Sequence, residues 1–389
     1  PWFRLFQNLV FWQAVWFLYF QSELSAAEAI LLYAVYDIST TVLEAPSGYL
    51  SDRIGRRLTL VMASVASIAA CVVLGIGGGF AVFVLAQILL GVSAAFTSGT
   101  DSALLYESLA ASGREDEIER QEVRAWRFAF AGLAVSAVSG GAMALADPAA
   151  PFWASAIAAF VMLLIALRFR EPARLRDTTP GAALATLRTA LSSPVLGWLL
   201  VLTTLMYVFS HVPFVFGQPV ILAALENAGL AAEAPVVSGA VTSIMMIVSL
   251  GVSVFAPRIR RALGLPGILM LAFGIQIALC GLIAQSEHMV VIALLFLRMA
   301  PDSLSRPFIL ARIQPLLSDE SRATYLSIRS FSARLVFAGT LLIASQTASG
   351  EGEMAFSEIR SVLLAYAIAG VACLVALALA ARWINVEAE

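Results

Sequence analysis

The interpretation of this chain starts from a short charged stretch, Gly48-Tyr49-Leu50-Ser51-Asp52-Arg53-Ile54-Gly55-Arg56-Arg57. It contains one Asp, three Arg and two Gly, and long apolar segments flank it on both sides. A connection this short keeps its charges close to the surface at which both apolar segments end. The pattern therefore predicts a charged turn between two membrane-spanning helices.

The composition is that of an integral membrane protein. Of the 389 residues, 60% are hydrophobic and only 13% are charged, whereas a soluble domain carries about 25% charged residues. The formal net charge of −2 gives no reason to expect a nucleic-acid partner. The three cysteines lie in separate apolar segments without the spacing of metal ligands, so we expect neither a metal nor a bound cofactor.

The apolar segments are numerous and long enough to cross a bilayer, which takes about 20 mostly apolar residues each. Candidate spans lie near 5–21, 27–50, 58–77, 81–107, 123–145, 150–168, 195–224, 235–256, 265–284, 289–316, 324–347 and 358–383. The sequence therefore predicts an all-α membrane protein with twelve transmembrane helices. An even number of spans places both termini on the same side of the membrane.

The arginines predict which side that is. Every second loop carries Arg, for example Arg53 after span 2, Arg114 after span 4 and Arg258 after span 8. The opposite loops contain no Arg until Arg360. Because positively charged loops stay in the cytoplasm, we expect both termini to be cytoplasmic, in the inner membrane of a bacterium.

The sequence also predicts that the chain folds as two halves. The longest polar break, 169–194, is expected to be a cytoplasmic linker between six-helix bundles at 1–168 and 195–389. Two motifs recur about half a chain apart. They are Arg53-Ile54-Gly55-Arg56-Arg57, echoed by Arg258-Ile259-Arg260-Arg261, and Thr100-Asp101-Ser102, echoed by Pro301-Asp302-Ser303.

The spacing G-x-x-x-D-R-x-G-R-R resembles the signature loop of the major facilitator superfamily of transporters, between their second and third membrane helices. The stretches Glu44–Gly48 and Ser98–Leu109 look like a bacterial drug-efflux-like subgroup. The resemblance implies two pseudo-symmetric halves with a site at the membrane midplane. The sequence departs from two features that the resemblance leads us to expect of an antiporter. Gln87 stands where an Arg is expected, and span 5 has glycines but no Gly-Pro motif.

The resemblance assigns a gating role to the signature loop. It implies that Asp52 meets the start of span 11, and that Arg56 pairs with Glu107 at the end of span 4. Such contacts would latch the halves in one state and break in the other. The alternative is that the charges only anchor the loop in the cytoplasm. The gating candidates are Gly48, Asp52, Arg53, Gly55, Arg56, Arg57 and Glu107.

Three acids inside predicted spans are candidates for proton coupling, because ionisable groups within a membrane are usually functional. Asp37 and Glu44 lie two helical turns apart in span 2, and Asp37 is expected to face a water-filled vestibule. Glu44 equally fits a structural ion pair. Asp101, beside Gly99 in span 4, is the preferred coupling acid.

The predicted substrate-binding residues lie in spans 1, 2, 7 and 10. Arg298, Asp302 and Arg306 are spaced four apart, which places them on one face of a helix. They suit a polar substrate or simply neutralise each other. Pro301 and Pro307 would unwind the helix there. The binding candidates are Trp16, Tyr36, His211, Gln218, Arg298 and Asp302, of which the aromatic residues equally fit an interfacial belt.

These patterns predict a secondary transporter that works by alternating access. The favoured form is proton-coupled efflux of small amphipathic molecules, driven by the proton gradient. The alternative is an importer or facilitator of a small polar or anionic metabolite. No nucleophile–base pair or nucleotide-binding loop is apparent in the sequence, so no enzymatic activity is expected. The chain is expected to act as a monomer in the bilayer.

Overall fold

The computed structural model describes residues 1–114, 117–171, 193–313, 316–317, 319–346, 354–384 and 386. Some helical positions, Asp52 and 319–324 among them, are described by their backbone alone. The described residues form helices and the connections between them. Most of the predicted linker, 172–192, lies outside the described residues, so the predicted boundaries at 168 and 194 stay predictions.

The helices up to residue 171 are α1 (Trp2–Gln7), α2 (Trp16–Glu23), α3 (Ala26–Ile54), α4 (Arg56–Ile76), α5 (Phe80–Thr97), α6 (Thr100–Ala110), α7 (Ile118–Ala146) and α8 (Ala150–Leu167). A 3₁₀ turn, Phe11–Ala14, joins α1 to α2. The start of α3 is fixed by a capping box, in which Ser25 and Glu28 satisfy each other's backbone N–H groups.

The later helices are α9 (Pro194–Val215), α10 (Gly217–Glu226), α11 (Ala234–Ile283), α12 (Val290–Leu295), α13 (Ala300–Ile313), α14 (Asp319–Ser345) and α15 (Phe356–Trp383). Helix α9 begins at a Pro that follows the capping residue Ser193, since Pro needs no N–H partner at a helix start. Gly264 interrupts α11 with φ 73° and ψ 174°, between predicted spans 8 and 9.

The structure confirms an all-α membrane fold. Within the described ranges, nine helical segments are long and apolar enough to cross a membrane. One of them, Ala231–Ile283, contains two of the predicted spans, and predicted spans 1 and 10 fall on shorter, interrupted helices. The arrangement is consistent with twelve spans. Large apolar side chains on these helices, such as Ile247, Ile343 and Ile368, are 70–72% exposed, as expected for surfaces that face lipid.

Several spans predicted as single helices are broken. Span 4 stops at Thr97 and restarts at Thr100, with Gly99 in the left-handed region at φ 75°. Span 10 stops at Leu295 and restarts at Ala300. Periodicity cannot reveal such breaks, because apolar residues continue on both sides of each one.

The described chain forms two compact units, Pro1–Thr178 with Pro235–Ala240, and Thr179–Ala234 with Val241–Glu389. In the first unit, α4 packs on α5 and α8, and its core includes Phe83 and Phe152, both fully buried. In the second unit, α9 packs on α14 and α15 around Phe273 and Phe337. Burial of these aromatic faces gives each unit its own interior.

Buried polar tips in each unit bond to helix carbonyls. The Tyr19 hydroxyl donates to the Leu74 carbonyl at 2.6 Å. In the second unit, the Tyr325 hydroxyl donates to the Leu196 carbonyl, also at 2.6 Å. These bonds satisfy hydroxyl groups that would otherwise be costly in an apolar interior.

Glycines in α7 allow the start of the chain to pack closely against it. A Cβ at Gly132 would lie 2.6 Å from the Leu5 carbonyl oxygen. A Cβ at Gly140 would overlap the Phe11 carbonyl oxygen. The glycines that predicted span 5 contains instead of a Gly-Pro motif therefore have a packing role.

Gly140→Ala is expected to destabilise the protein, because overpacking typically costs about 1–3 kcal/mol. Gly251→Ala is the matched control, since nothing lies within 4 Å of a Cβ at that helical position. Thermal denaturation of the purified proteins should give a lower melting temperature for Gly140→Ala only. Equal melting temperatures for the two variants would contradict the close approach of Phe11 to α7.

Candidate functional site

The signature stretch is mostly helix rather than turn. Helix α3 continues to Ile54 and α4 begins at Arg56, so Gly55 alone forms the connection, with φ 103°. Only glycine tolerates this backbone conformation readily. Gly48, by contrast, lies inside α3 rather than in the connection, and nothing is within 4 Å of a Cβ there.

Arg56 makes the predicted contact with Glu107. Its Nε and Nη2 donate to Oε1 of Glu107 at 3.2 and 3.1 Å, and its Nη1 donates to the Ser51 hydroxyl at 2.9 Å. Both charged side chains are about one-fifth exposed. The pairing is confirmed, whereas its role as a latch stays a prediction. Arg53 and Arg57 are exposed, and the Asp52 side chain lies outside the described part of the chain.

Glu171 holds the start of α4 immediately after the turn. Its two carboxylate oxygens accept hydrogen bonds from the backbone N–H groups of Arg56 at 2.6 Å and Arg57 at 2.8 Å. A Cβ at Gly55 would lie 2.8 Å from the Glu171 carboxyl carbon. An acid in this position complements the positive end of the helix. Glycine at position 55 is therefore needed for its φ, and it also leaves room for the Glu171 carboxylate.

Asp101 lies directly after the break in span 4, in the first turn of α6. Its Oδ2 is 2.7 Å from Nε of Arg4, and its Oδ1 accepts a hydrogen bond from the Ser102 backbone at 2.8 Å. Arg4 also donates to the Ser102 hydroxyl at 3.1 Å. The Asp101 side chain is only 8% exposed. A largely buried carboxylate is thus held by one guanidinium and by a helix start.

Arg4 has a second contact, with an aromatic ring. Its guanidinium carbon lies 5.6 Å from the ring centre of Trp126 in α7. The sequence interpretation did not consider Arg4, because it precedes the predicted first span. The sequence feature that indicates a role for Arg4 is its position as a single cation at the start of an apolar segment. Such a cation needs a partner when the segment lies inside the membrane.

The two candidate acids of α3 have different surroundings. Asp37 is fully buried, so the expectation that it faces a water-filled vestibule is wrong for this structure. Glu44 is half-buried and accepts a hydrogen bond from the Ser98 hydroxyl at 3.2 Å. Ser98 belongs to the break in span 4, so Glu44 contacts the same break that precedes Asp101.

The second unit has a helix break before its own acid. Residues 296–299 form turns whose backbone bonds span three residues, and Arg298 lies among them. Asp302 occupies the first turn of α13. Arg298 therefore lies outside the helix that carries Asp302 and Arg306, whereas the spacing predicted one continuous helix through all three. Asp302 is acted on electrostatically by both Arg306 and Arg298, so the alternative that the three charges neutralise each other stays a prediction.

Aromatic rings and arginines from three parts of the second unit meet beside this break. The His211 ring stacks on Tyr207 with 3.9 Å between centres, and its Nδ1 lies 2.8 Å from the Tyr207 carbonyl oxygen. Arg298 lies 4.9 Å from the ring centre of Phe214, and Arg334 lies 6.0 Å from that of Tyr207. We call this set the aromatic–arginine cluster; it comprises Tyr207, His211, Phe214, Arg298, Arg334 and Phe337.

The remaining binding candidates are in packed surroundings. Trp16 is 2% exposed and packs against Phe17, Phe20 and Tyr33. Tyr36 is half-buried, with its ring 5.9 Å from that of Tyr33. Gln218 is buried in the first turn of α10. Within the second unit, the structure thus brings His211 and Arg298 into one cluster.

The fold and these charged breaks define a multi-pass membrane transporter. The family model of the Major Facilitator Superfamily matches residues 3–340, and the chain belongs to that superfamily. No sequence among curated proteins matches it. The family is one of transporters rather than enzymes, in agreement with the sequence prediction.

Solved structures agree with this fold at low identity. The nucleoside transporter NupG matches with a TM-score of 0.76 and 12% identity over 97% of both chains. An auto-inhibited peptide transporter of the POT family gives 0.75 and 13% over 98% of this chain and 95% of its own. A D-xylose–proton symporter gives 0.71 and 15%, over 97% and 94%. The resemblance to a drug-efflux subgroup finds no support among these structures.

Glu171→Gln is expected to lower the stability of the first unit. The amide offers one acceptor oxygen instead of two and has no negative charge, which typically costs about 0.5–1 kcal/mol at a helix start. Glu233→Gln is the matched control, because Glu233 precedes α11 without a side-chain capping bond. Thermal denaturation should separate the two variants. An unchanged melting temperature for Glu171→Gln would contradict a stabilising cap.

Proposed function

We propose that this transporter exports small amphipathic organic molecules in exchange for protons, by alternating access. We place it in a bacterial cytoplasmic membrane with both termini in the cytoplasm, on the distribution of its arginines. The observation that carries the proposal is Asp101. A carboxylate that is 8% exposed inside a membrane segment, at a helix break and beside a single guanidinium, is a group suited to bind and release a proton.

The Arg4 contact gives protonation a structural consequence. When Asp101 is ionised, it neutralises Arg4 at 2.7 Å. When Asp101 binds a proton, that attraction is lost and Arg4 remains a cation in surroundings where an unpaired charge is costly. Arg4 then favours a different arrangement. Proton binding thereby shifts the conformational equilibrium at the break between α5 and α6. Coupling of proton binding to transport requires such a shift.

The signature loop supplies the gate in this proposal. The Arg56–Glu107 bond joins the start of α4 to α6, the helix that carries Asp101. Glu171 holds the same α4 start through two backbone bonds. Movement of α6 therefore acts on the loop through this ion pair, and Asp52 is proposed to complete the latch. Such contacts are suited to two discrete arrangements.

The alternative is an importer or facilitator of a small polar or anionic metabolite. The observation that favours it is the break in span 10. Arg298 lies in the turns of this break, outside regular helix, and the helix that carries Asp302 begins only at Ala300. The solved structures with this fold include transporters of nucleosides, peptides and xylose. The two candidates differ in the direction of flux and in whether a proton moves.

The test is a proteoliposome assay with an internal pH-sensitive dye and an imposed inside-acid gradient. Pools of organic cations, neutral compounds, amino-acid-like compounds and organic anions are added in turn. Substrate-dependent collapse of the gradient is the expected result for antiport. Saturable counterflow of a labelled compound without any proton movement would replace antiport with the facilitator.

Asp101→Asn is expected to abolish proton-dependent transport while substrate exchange across the membrane continues. The amide keeps the shape of the side chain but cannot bind and release a proton at this site. Asp147→Asn is the matched control, because Asp147 is an exposed acid outside the helices. Proton flux and exchange are measured in the same proteoliposomes. Wild-type pH dependence in Asp101→Asn would remove Asp101 from the coupling role.

Glu107→Gln is expected to loosen the gate. A bias of about 1 kcal/mol changes the ratio of two conformations about fivefold. The readout is labelling by a membrane-impermeant maleimide of Ser51→Cys, a position that is 1% exposed beneath Arg56, in a background without native cysteines. Glu117→Gln is the control, since it breaks a local pair with Arg114. Equal labelling with and without Glu107→Gln would contradict the latch.

A further inference from the structure

We propose that Glu122 of α7 is the second partner of Arg4, and that Arg4 passes from Asp101 to Glu122 when Asp101 binds a proton. The proposal rests on the proposed proton coupling and names the residue that receives Arg4 in the protonated state. Glu122 is a positioning residue, because it acts on the proton site through Arg4. Three features of the first unit lead to this assignment: its local balance of charge, the helix face on which Glu122 lies, and the single-point contact between Arg4 and Asp101.

Two acids share the surroundings of one mostly buried cation. Asp101 is acted on electrostatically by Arg4 from α1 and by Glu122 from α7. One guanidinium cannot neutralise two carboxylates, so these three side chains carry one negative charge in excess while both acids are ionised. A single proton on Asp101 removes that excess. It leaves Arg4 and Glu122 as two opposite charges, and opposite charges among apolar helices attract each other strongly.

Helix α7 places Glu122 close to Arg4. The Arg4 guanidinium carbon lies 5.6 Å from the ring centre of Trp126, and Glu122 precedes Trp126 by four residues in the same helix. Residues four apart lie on the same helix face, about one turn or roughly 5–6 Å apart. Rotation of the Arg4 side-chain bonds can cover that distance. The Pro1 amino group at the head of α1 is acted on by both Arg4 and Glu122, which places the two in one neighbourhood.

Asp101 holds Arg4 through one pair of atoms. Nε of Arg4 lies 2.7 Å from Oδ2 of Asp101, whereas Nη2 of Arg4 donates to the Ser102 hydroxyl at 3.1 Å. Within the described part of the chain, Oδ2 is buried and accepts no aligned hydrogen bond. The contact therefore lacks the two parallel bonds that make an arginine–carboxylate pair strong and specific. A proton on Oδ2 ends the attraction to Arg4 without breaking an aligned hydrogen bond.

The other charged groups of the neighbouring helices are engaged or exposed. Glu107 of α6 pairs with Arg56 of α4. Helices α5 and α8 contain no charged residue. The arginines that the structure describes elsewhere on α4 and α7 are exposed: Arg57, Arg124 and Arg127. Among the described side chains, Glu122 is therefore the acid that is placed to receive Arg4.

The exchange connects proton binding to the break in span 4. While Asp101 is ionised, Arg4 ties α1 to the start of α6, immediately after the break. When Asp101 is protonated, Arg4 ties α1 to α7 instead and releases α6. Helix α6 also carries Glu107, the acid of the proposed gate. Each state is stabilised by its own ion pair, so a proton shifts the population between two discrete arrangements.

A thermodynamic cycle on the purified full chain tests the exchange without transport. Asp101→Asn imitates the protonated acid, so Arg4 is expected to bind Glu122 in that variant. Glu122→Gln is therefore expected to lower the melting temperature at least about twofold more in the Asp101→Asn background than in the wild type. Arg4→Gln in both backgrounds should remove this difference. Glu117→Gln is the matched control, since Glu117 precedes the same helix and pairs locally with Arg114.

The pH profile of proton flux is a second measurement that leaves Asp101 unchanged. Glu122 stabilises the state in which Asp101 carries a proton, so its neutralisation makes proton uptake less favourable. Glu122→Gln is expected to move the midpoint of proton-dependent transport to lower pH by about one unit, or about tenfold weaker proton binding. Glu122→Asp keeps the charge and is expected to keep the wild-type midpoint. The flux is measured in proteoliposomes with whichever pool of compounds collapses the gradient.

The two measurements separate this inference from the transport function. Equal effects of Glu122→Gln in the two backgrounds would overturn the exchange of partners and leave proton coupling at Asp101 intact. So would a change in melting temperature without a shift of the pH midpoint, which is the result of a purely structural role. If Asp101→Asn does not fold, the pH midpoint decides. A larger effect in the Asp101→Asn background of a protein that moves no protons would support the exchange and contradict the transport function.

Discussion

A charge placed among apolar helices must be compensated, and this requirement governs the described part of the first unit. Asp101 meets Arg4 at 2.7 Å, and Glu107 meets Arg56 at 3.1 Å. Glu171 satisfies two backbone N–H groups at the start of α4. The Asp101 side chain is only 8% exposed, so water cannot readily replace its partner. All three contacts join segments that are distant in sequence. The fold of the unit and its candidate chemistry thus depend on the same few bonds.

The two interrupted spans place acids at corresponding positions. Helix α5 gives way to α6 at Gly99, and α12 gives way to α13 at residues 296–299. In both cases an acid, Asp101 or Asp302, occupies the first turn of the helix that follows. A helix start favours a negative charge. The repeated motif therefore places an acid at a favourable position in both units.

The two units use this shared geometry differently. In the first, the acid has a close cationic partner, which fits a group that gains and loses a proton. In the second, Arg298 lies against a thioether and an aromatic face, and Asp302 is shared electrostatically by two arginines. The proton-binding role that we propose for Asp101 follows from its close contact with Arg4.

The sequence by itself determined the membrane class, the helical fold and the family signature, because apolar run length and the spacing of Gly55, Arg56 and Arg57 are local properties. It also predicted the Arg56–Glu107 pair through the resemblance. Only the tertiary structure decided that Arg4 is the partner of Asp101, that Glu171 caps α4, and that Asp37 is fully buried. It also replaced the regular helical face through Arg298 with a break. These features depend on which helices pack together, and no residue pattern along one helix contains that information.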